Sequence, residues 1–95
     1  MTYTRESAQD LAMTVLLYMA DRPDLIGGFL ESSGLQPQDL RRAAGNPDIA
    51  LHVLDFLLED DRRVLDAAGD LNIRPGDLMA ARTALAGPGS YGWEI

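Results

Sequence analysis

The chain has 95 residues, a formal net charge of −7 and no cysteine. This length suits one small domain, and 46% hydrophobic with 24% charged residues is the balance of a folded globule rather than of a disordered chain. The missing cysteine excludes disulfides, thiolate metal sites and cysteine nucleophiles, and the negative charge disfavours binding to nucleic acid or to an anionic membrane.

The longest apolar stretch, residues 11–20, includes Thr14 and is too short for a bilayer, which needs about 20 apolar residues. Near the N-terminus, Glu6 and Asp10 accompany Arg5 where a signal peptide has a cationic region. We therefore expect no membrane helix and no export signal. The absence of cysteine also suits a reducing compartment, so the predicted location is cytoplasmic.

Apolar residues at helical spacing predict a first long helix that begins after an N-cap at Ser7, with Asp10 completing a capping box. A second, short helix is expected to start at Pro23, because proline is favoured in the first helical turn. It should end near Ser33, because Gly34 can adopt the left-handed cap conformation. The inward face of the first helix is expected to hold Ala8, Leu11, Ala12, Val15, Leu16 and Met19.

The segment GLQPQDL, residues 34–40, recurs as NIRPGDL at residues 72–78. In each copy the proline suits the first helical position, and the aspartate two residues later can accept hydrogen bonds from the exposed amides of the first turn. Both segments therefore predict the start of a further helix. Because helix-start chemistry explains each fixed residue, the motif indicates structure rather than a binding site.

In the second half of the chain, Asn46 and Pro47 predict the N-cap and the first residue of another long helix. A shorter helix follows a break at residues 60–61, and the last helix begins at Pro75 and ends near Ala86. No segment alternates with period two, so no sheet is expected. The inward face of the second long helix should hold Ile49, Ala50, Val53, Leu54 and Leu57.

A shift of 38 residues aligns segment 10–43 with segment 48–81 without a gap, and eight of the 34 positions are identical. Repeats of this length usually mark duplicated supersecondary units. The predicted fold is therefore an all-α, compact bundle of five to six helices. It is built from two related three-helix units, at about residues 7–45 and 46–86, in one domain that spans residues 1–86.

His52 is the only histidine, and Asp48 and Asp55 share its face of the second long helix. Imidazole and carboxylate groups can bind a divalent metal, but a tight site needs ligands from several elements. A solvated polar stripe is the favoured interpretation, and no metal or other cofactor is predicted. No nucleophile–base motif and no glycine-rich phosphate loop accompanies the histidine, so we predict no catalytic residue and no enzyme activity.

The arginine pairs Arg41-Arg42 and Arg62-Arg63 are the basic doublets of the chain. On a short helix, the first pair could resemble the recognition helix of a helix-turn-helix, which keeps a DNA-binding helical module open as an alternative. Both pairs have acidic neighbours and no interleaved aromatic residue, which favours surface ion pairs. A helical bundle that binds a small molecule or a metal between its units is the other alternative.

Leu17 stands where the second copy has Asp55, so the outer stripe of the first long helix carries an apolar residue. This substitution predicts that Leu17, together with Met13, contributes to a partner or dimer face. The competing interpretation is that the N-terminal residues, with Tyr3, fold over these side chains.

The last nine residues, 87–95, read GPGSYGWEI and have no helical pattern. Three glycines and one proline predict a flexible C-terminal tail, although Trp93 could dock it back onto the domain. Tyr91 and Trp93 could also form a short linear motif for a partner. They join Met13 and Leu17 as the candidate interaction residues.

Three segments, YMAD at 18–21, GFLESSGLQPQDLR at 28–41 and VLDFLLEDD at 53–61, resemble a family of short, acidic, all-helical alphaproteobacterial proteins known as a domain of unknown function. The resemblance covers about residues 7–86. It implies a bacterial, cytoplasmic helical protein and assigns no activity or ligand. The expected function is a small protein–protein interaction or regulatory module without catalysis, acting on an unknown protein partner or as a homodimer.

Overall fold

Five α-helices and one 3₁₀ helix make up the part of the chain that the computed structural model describes, residues 3–42 and 46–86. These residues contain no strand, which confirms the predicted all-helical class, and no helix among them is long and apolar enough to cross a membrane. The α-helices are α1 (Arg5–Ala20), α2 (Pro23–Ser33), α3 (Pro47–Leu58), α4 (Asp61–Leu71) and α5 (Pro75–Ala86), and the 3₁₀ helix is Pro37–Arg42.

Helix α1 begins about one turn earlier than the sequence pattern predicts. Its N-cap is Thr4, and Ser7 occupies the third helical position. The Thr4 hydroxyl accepts from the Ser7 amide at 3.0 Å, and the Ser7 hydroxyl accepts from the Thr4 amide at 2.9 Å. The prediction of an N-cap at Ser7 is therefore wrong, because serine at the third position closes a capping box with Thr4 and satisfies two otherwise free amides.

The other predicted helix boundaries are confirmed. Gly34 and Asn72 end α2 and α4 in the left-handed conformation, with φ of 75° and 58°. The Asn46 side chain caps α3 by accepting from the amides of the second and third helical residues, at 3.0 Å and 3.4 Å. Asp60 caps α4 in the same way, through the amide of Arg62 at 2.9 Å.

The repeated motif begins two helices of different kinds. The Asp39 carboxylate accepts from the Gln36 amide at 2.9 Å, and the Asp77 carboxylate accepts from the Arg74 amide at 3.0 Å. The first copy starts a 3₁₀ helix of six residues, whereas the second starts α5, which has 12 residues. The next helix, α3, begins at Pro47, ten residues after the proline of the first copy.

Helices α1, α3 and α5 form the centre of the domain, where each packs against the other two. Helix α2 packs on α1 and α3, and α4 packs on α3 and α5. The predicted inward faces of α1 and α3 are buried apart from Leu11, which is half-buried. The largest fully buried side chains are Phe29, Met19, Leu54, Leu57, Leu78, Val15 and Val53.

Candidate functional site

The structure does not bring the weak metal candidates together. His52 and Asp48 lie exposed on α3, while the Asp55 carboxylate is half-buried and forms an ion pair with Arg82 of α5. Within residues 3–42 and 46–86, no group of three or more histidine or acidic side chains is placed to hold a metal ion. The polar stripe on α3 is thus partly used for packing α5, rather than being wholly solvated.

The predicted interaction residues of α1 differ in their exposure. The Leu17 side chain lies on the surface with 71% of its area exposed. Met13 is half-buried and packs against the core, as does Tyr3. The N-terminal residues from Tyr3 onward therefore do not cover Leu17. Its role in binding stays a prediction, and Tyr91 and Trp93 lie outside the described residues.

A groove that the sequence patterns did not predict follows α2 along its border with α3 and α4. It consists of three adjoining hollows with volumes of about 440, 410 and 510 Å³, and Phe56 lines all three. The first and second hollows share Ser32 and Glu59, and the second and third share Gly28 and Arg63. We call this continuous feature the α2 groove.

Close packing of two aromatic rings fixes the floor of the α2 groove. Phe29 of α2 and Phe56 of α3 meet edge to face, with ring centroids 5.6 Å apart and planes at 72°. Gly28 allows α2 to approach this ring, because a Cβ atom at that position would lie 3.3 Å from Phe56 Cζ. Two closely packed and almost fully buried aromatic rings therefore lie beneath the groove, and polar side chains form its rim.

At one end of the groove, a polar network joins α1 to α4. The Tyr18 hydroxyl donates to Asp70 Oδ2 at 2.8 Å, and Arg22 Nη2 donates to the same oxygen at 3.3 Å. The Arg22 guanidinium also lies 3.7 Å from the centroid of the Tyr18 ring, and its Nη1 donates to the Tyr18 carbonyl at 3.0 Å. One arginine thus holds the ring, the backbone and the carboxylate in one arrangement.

The chemical environment of Tyr18 favours its neutral form. Burial is the larger effect that raises the pKa of the Tyr18 phenol above its ordinary value of 10.0, and the hydrogen bond to Asp70 raises the pKa further. The positive charge of Arg22 acts in the opposite direction. The phenol is therefore a hydrogen-bond donor at neutral pH rather than a base.

A second arginine stacks in the middle of the groove. The Arg63 guanidinium lies 3.9 Å from the centroid of the Phe56 ring, and its Nη1 donates to the Phe56 carbonyl at 2.8 Å. In the described part of the chain, neither Arg62 nor Arg63 has a carboxylate within ion-pair distance. The predicted surface ion pairs of this doublet are therefore wrong, because the aromatic face and the helix-end carbonyl hold Arg63 instead.

These observations define a small all-α domain whose described residues form an open, polar-rimmed surface groove. The chain belongs to the family described as Protein of unknown function (DUF3572), whose model matches residues 5–88. This match confirms the resemblance to a domain of unknown function. No curated protein and no solved structure matches the chain.

Proposed function

We propose that this chain is a small protein–protein interaction module without catalytic activity, and that the α2 groove is its binding surface. The observation that carries the proposal is the continuity of the three hollows around Phe56. Helix α2 has 11 residues, which corresponds to a length of about 16 Å. An open channel of this length is better suited to an extended or helical segment of a partner than to a small molecule, which usually binds in an enclosed pocket.

The distribution of polar contacts supports a binding role over a catalytic one. Asp70 and Asp55 are engaged by Arg22 and Arg82, so these carboxylates hold helices together. His52 lies at the edge of the first hollow, and within the described residues it has no hydrogen-bond partner. A histidine without an orienting group lacks the geometry that general base catalysis needs.

We further propose, as part of the same model, that the domain arose by duplication of a three-helix unit and acts in the cytoplasm. Helices α2 and α4 have equal length, and both of their bounds differ by 38 residues. The same offset relates the ends of α1 and α3, the left-handed residues Gly34 and Asn72, and the capping residues Asp39 and Asp77. The units would span about residues 7–45 and 46–86.

Blocking the groove tests the proposed function. Ser32 is exposed and lines two of the three hollows, so Ser32→Trp should obstruct the channel without disturbing the core. Gln38→Trp is the matched control, because Gln38 is exposed on the 3₁₀ helix and lines none of the hollows. Tagged wild type and both variants are purified from the organism that encodes them, and co-purifying proteins are quantified by mass spectrometry.

The expected result is at least one protein that accompanies the wild type and Gln38→Trp and is lost from Ser32→Trp. Thermal unfolding of the two variants should agree to within a few degrees, roughly the shift that 0.5 kcal/mol produces in a domain of this size. If Ser32→Trp retains every partner of the wild type, the groove is not the binding surface.

A homodimer that uses the outer face of α1 is the second candidate, because Leu17 is a large apolar side chain exposed there. Glu6 and Asp10 are exposed on the same helix and Asp21 is exposed at its C-cap, so two copies would bring like charges together. Sedimentation velocity at low and high salt tests this candidate. Dimerisation that strengthens with salt and disappears in Leu17→Asp supports it, and a monomer throughout dismisses it.

A further inference from the structure

We propose that the partner segment bound by the α2 groove is positively charged, with lysine or arginine side chains that lie across the groove. This inference rests on the proposed function and adds the chemistry of the partner. It is carried by the balance of charge in the groove. The three hollows are lined by seven carboxylates and three guanidinium groups, which leaves a formal charge of −4.

Carboxylates from different helices line the same hollows. Glu31 of α2 and Glu59 at the end of α3 both line the middle hollow. Asp24 of α2 and Asp66 of α4 both line the hollow at the Tyr18 end. In the part of the chain that the structure describes, none of these four side chains has an arginine within ion-pair distance. Four acids without an arginine in ion-pair distance therefore line the groove.

Two of the three arginines that line the groove are engaged elsewhere, so Arg62 is the one groove arginine left to approach the four rim acids. Arg22 is held by Asp70 and by the Tyr18 ring, and Arg63 is held against Phe56. Moving either guanidinium to a rim carboxylate would abandon both a stacking contact and a carbonyl hydrogen bond. The rim therefore keeps its negative potential in the folded state, which attracts cationic segments and repels acidic ones.

Long basic side chains match both parts of this surface. Their aliphatic stems can lie on half-buried Leu25 and Leu58, while their charged ends reach the acids of either wall. The chain's own last nine residues contain Glu94 and no lysine or arginine, so their charge makes them a poor occupant. A basic segment of another protein is the occupant that the charges favour.

The experiment selects ligands without prejudging their charge. Peptides of about 12 residues, long enough to span the groove in an extended conformation, are displayed as a random library and selected against the wild-type protein. Affinities of the selected peptides are then measured for two doubly substituted variants. Glu31→Gln with Glu59→Gln removes two charges from the rim, and Glu6→Gln with Asp10→Asn removes two charges from the outer face of α1.

We expect the selected peptides to be rich in lysine and arginine. Their affinity should fall about three- to tenfold with the rim variant, stay within about twofold of wild type with the α1 variant, and weaken as salt rises. Equal losses with both variants would show a general charge effect and overturn the inference. Selection of neutral or acidic peptides whose binding is lost in Ser32→Trp would also overturn the inference, while leaving the proposed function intact. Failure to select any peptide, or selection of peptides insensitive to Ser32→Trp, would count against both.

Discussion

The network around Tyr18 makes a measurable prediction for the stability of the domain. Tyr18→Phe removes the hydroxyl that donates to Asp70 and leaves the ring beneath Arg22 in place. A hydrogen bond to a charged group contributes more than a neutral one, but the Asp70 side chain is 52% exposed, so water can replace the lost donor. We therefore expect a loss of about 1 kcal/mol in the free energy of unfolding, or a melting temperature lower by about 4–8 °C.

The same substitution should change how stability depends on alkaline pH. Because the folded-state pKa of Tyr18 is raised, the unfolded chain releases the phenolic proton first as pH rises through about 10. The contribution of the raised Tyr18 pKa to the free energy of unfolding is fully present below that pH and is lost above it. For this one group the loss is no steeper than about 1.4 kcal/mol per pH unit. Tyr18→Phe should therefore unfold with a shallower dependence on pH in the alkaline range.

Urea unfolding, followed by circular dichroism at neutral pH and at several alkaline values, measures both effects. Tyr3→Phe is the control, because the pKa of Tyr3 is also raised, by burial and by the charge of Asp77, yet Tyr3 lies outside the groove. It should reduce the alkaline slope without affecting Arg22 or Asp70. If Tyr18→Phe matches wild type in stability at neutral pH and in alkaline slope, the network contributes nothing and the reasoning is refuted.

Three further predictions concern single positions. Leu17→Asp should change the free energy of unfolding by less than about 0.5 kcal/mol in thermal unfolding, because the side chain is exposed, and a loss several times larger would place Leu17 in the core. Gly27→Ala should stabilise the domain by about 0.5–1 kcal/mol in urea unfolding, since α2 has open space at that position. Gly28→Ala should stabilise it less, because the added methyl group meets Phe56. Equal stabilisation by both substitutions would mean that the Phe56 ring moves freely. Asp77→Ala should cost about 1 kcal/mol by the same measurement, through loss of the hydrogen bond to the Arg74 amide, and an unchanged stability would show that the cap is dispensable.

Local rules explain why most of the fold could be predicted from the sequence. Helix starts and ends depend on a few neighbouring residues, so Gly34, Asn46 and Pro75 specify their boundaries wherever the helices lie in space. The predicted N-cap of α1 was wrong because Thr4 and Ser7, one turn apart, are both residues that can cap a helix. Thr4 is the N-cap because its side chain and that of Ser7 each accept a hydrogen bond from the other's amide.

The groove could not be predicted because it depends on how the helices meet. Phe29 and Phe56 are 27 residues apart in the chain, and only the crossing of α2 over α3 brings their rings together. The position of Arg63 has the same origin, since an arginine among acids suggests an ion pair until an aromatic face is found within reach. A usable signal was present in the matching positions of Tyr18 and Phe56, which mark an aromatic residue at the end of both long helices.

The central position of α5 has a consequence for how this domain could have originated. Helix α5 belongs to the second half of the chain, yet it packs against α1 as well as α3, so the first half cannot complete its own core. If the proposed duplication is correct, a single ancestral copy would have lacked the packing that α1 now makes with α3 and α5. Pairing with an identical copy would have supplied that packing, and gene fusion would then have turned the dimer into one chain.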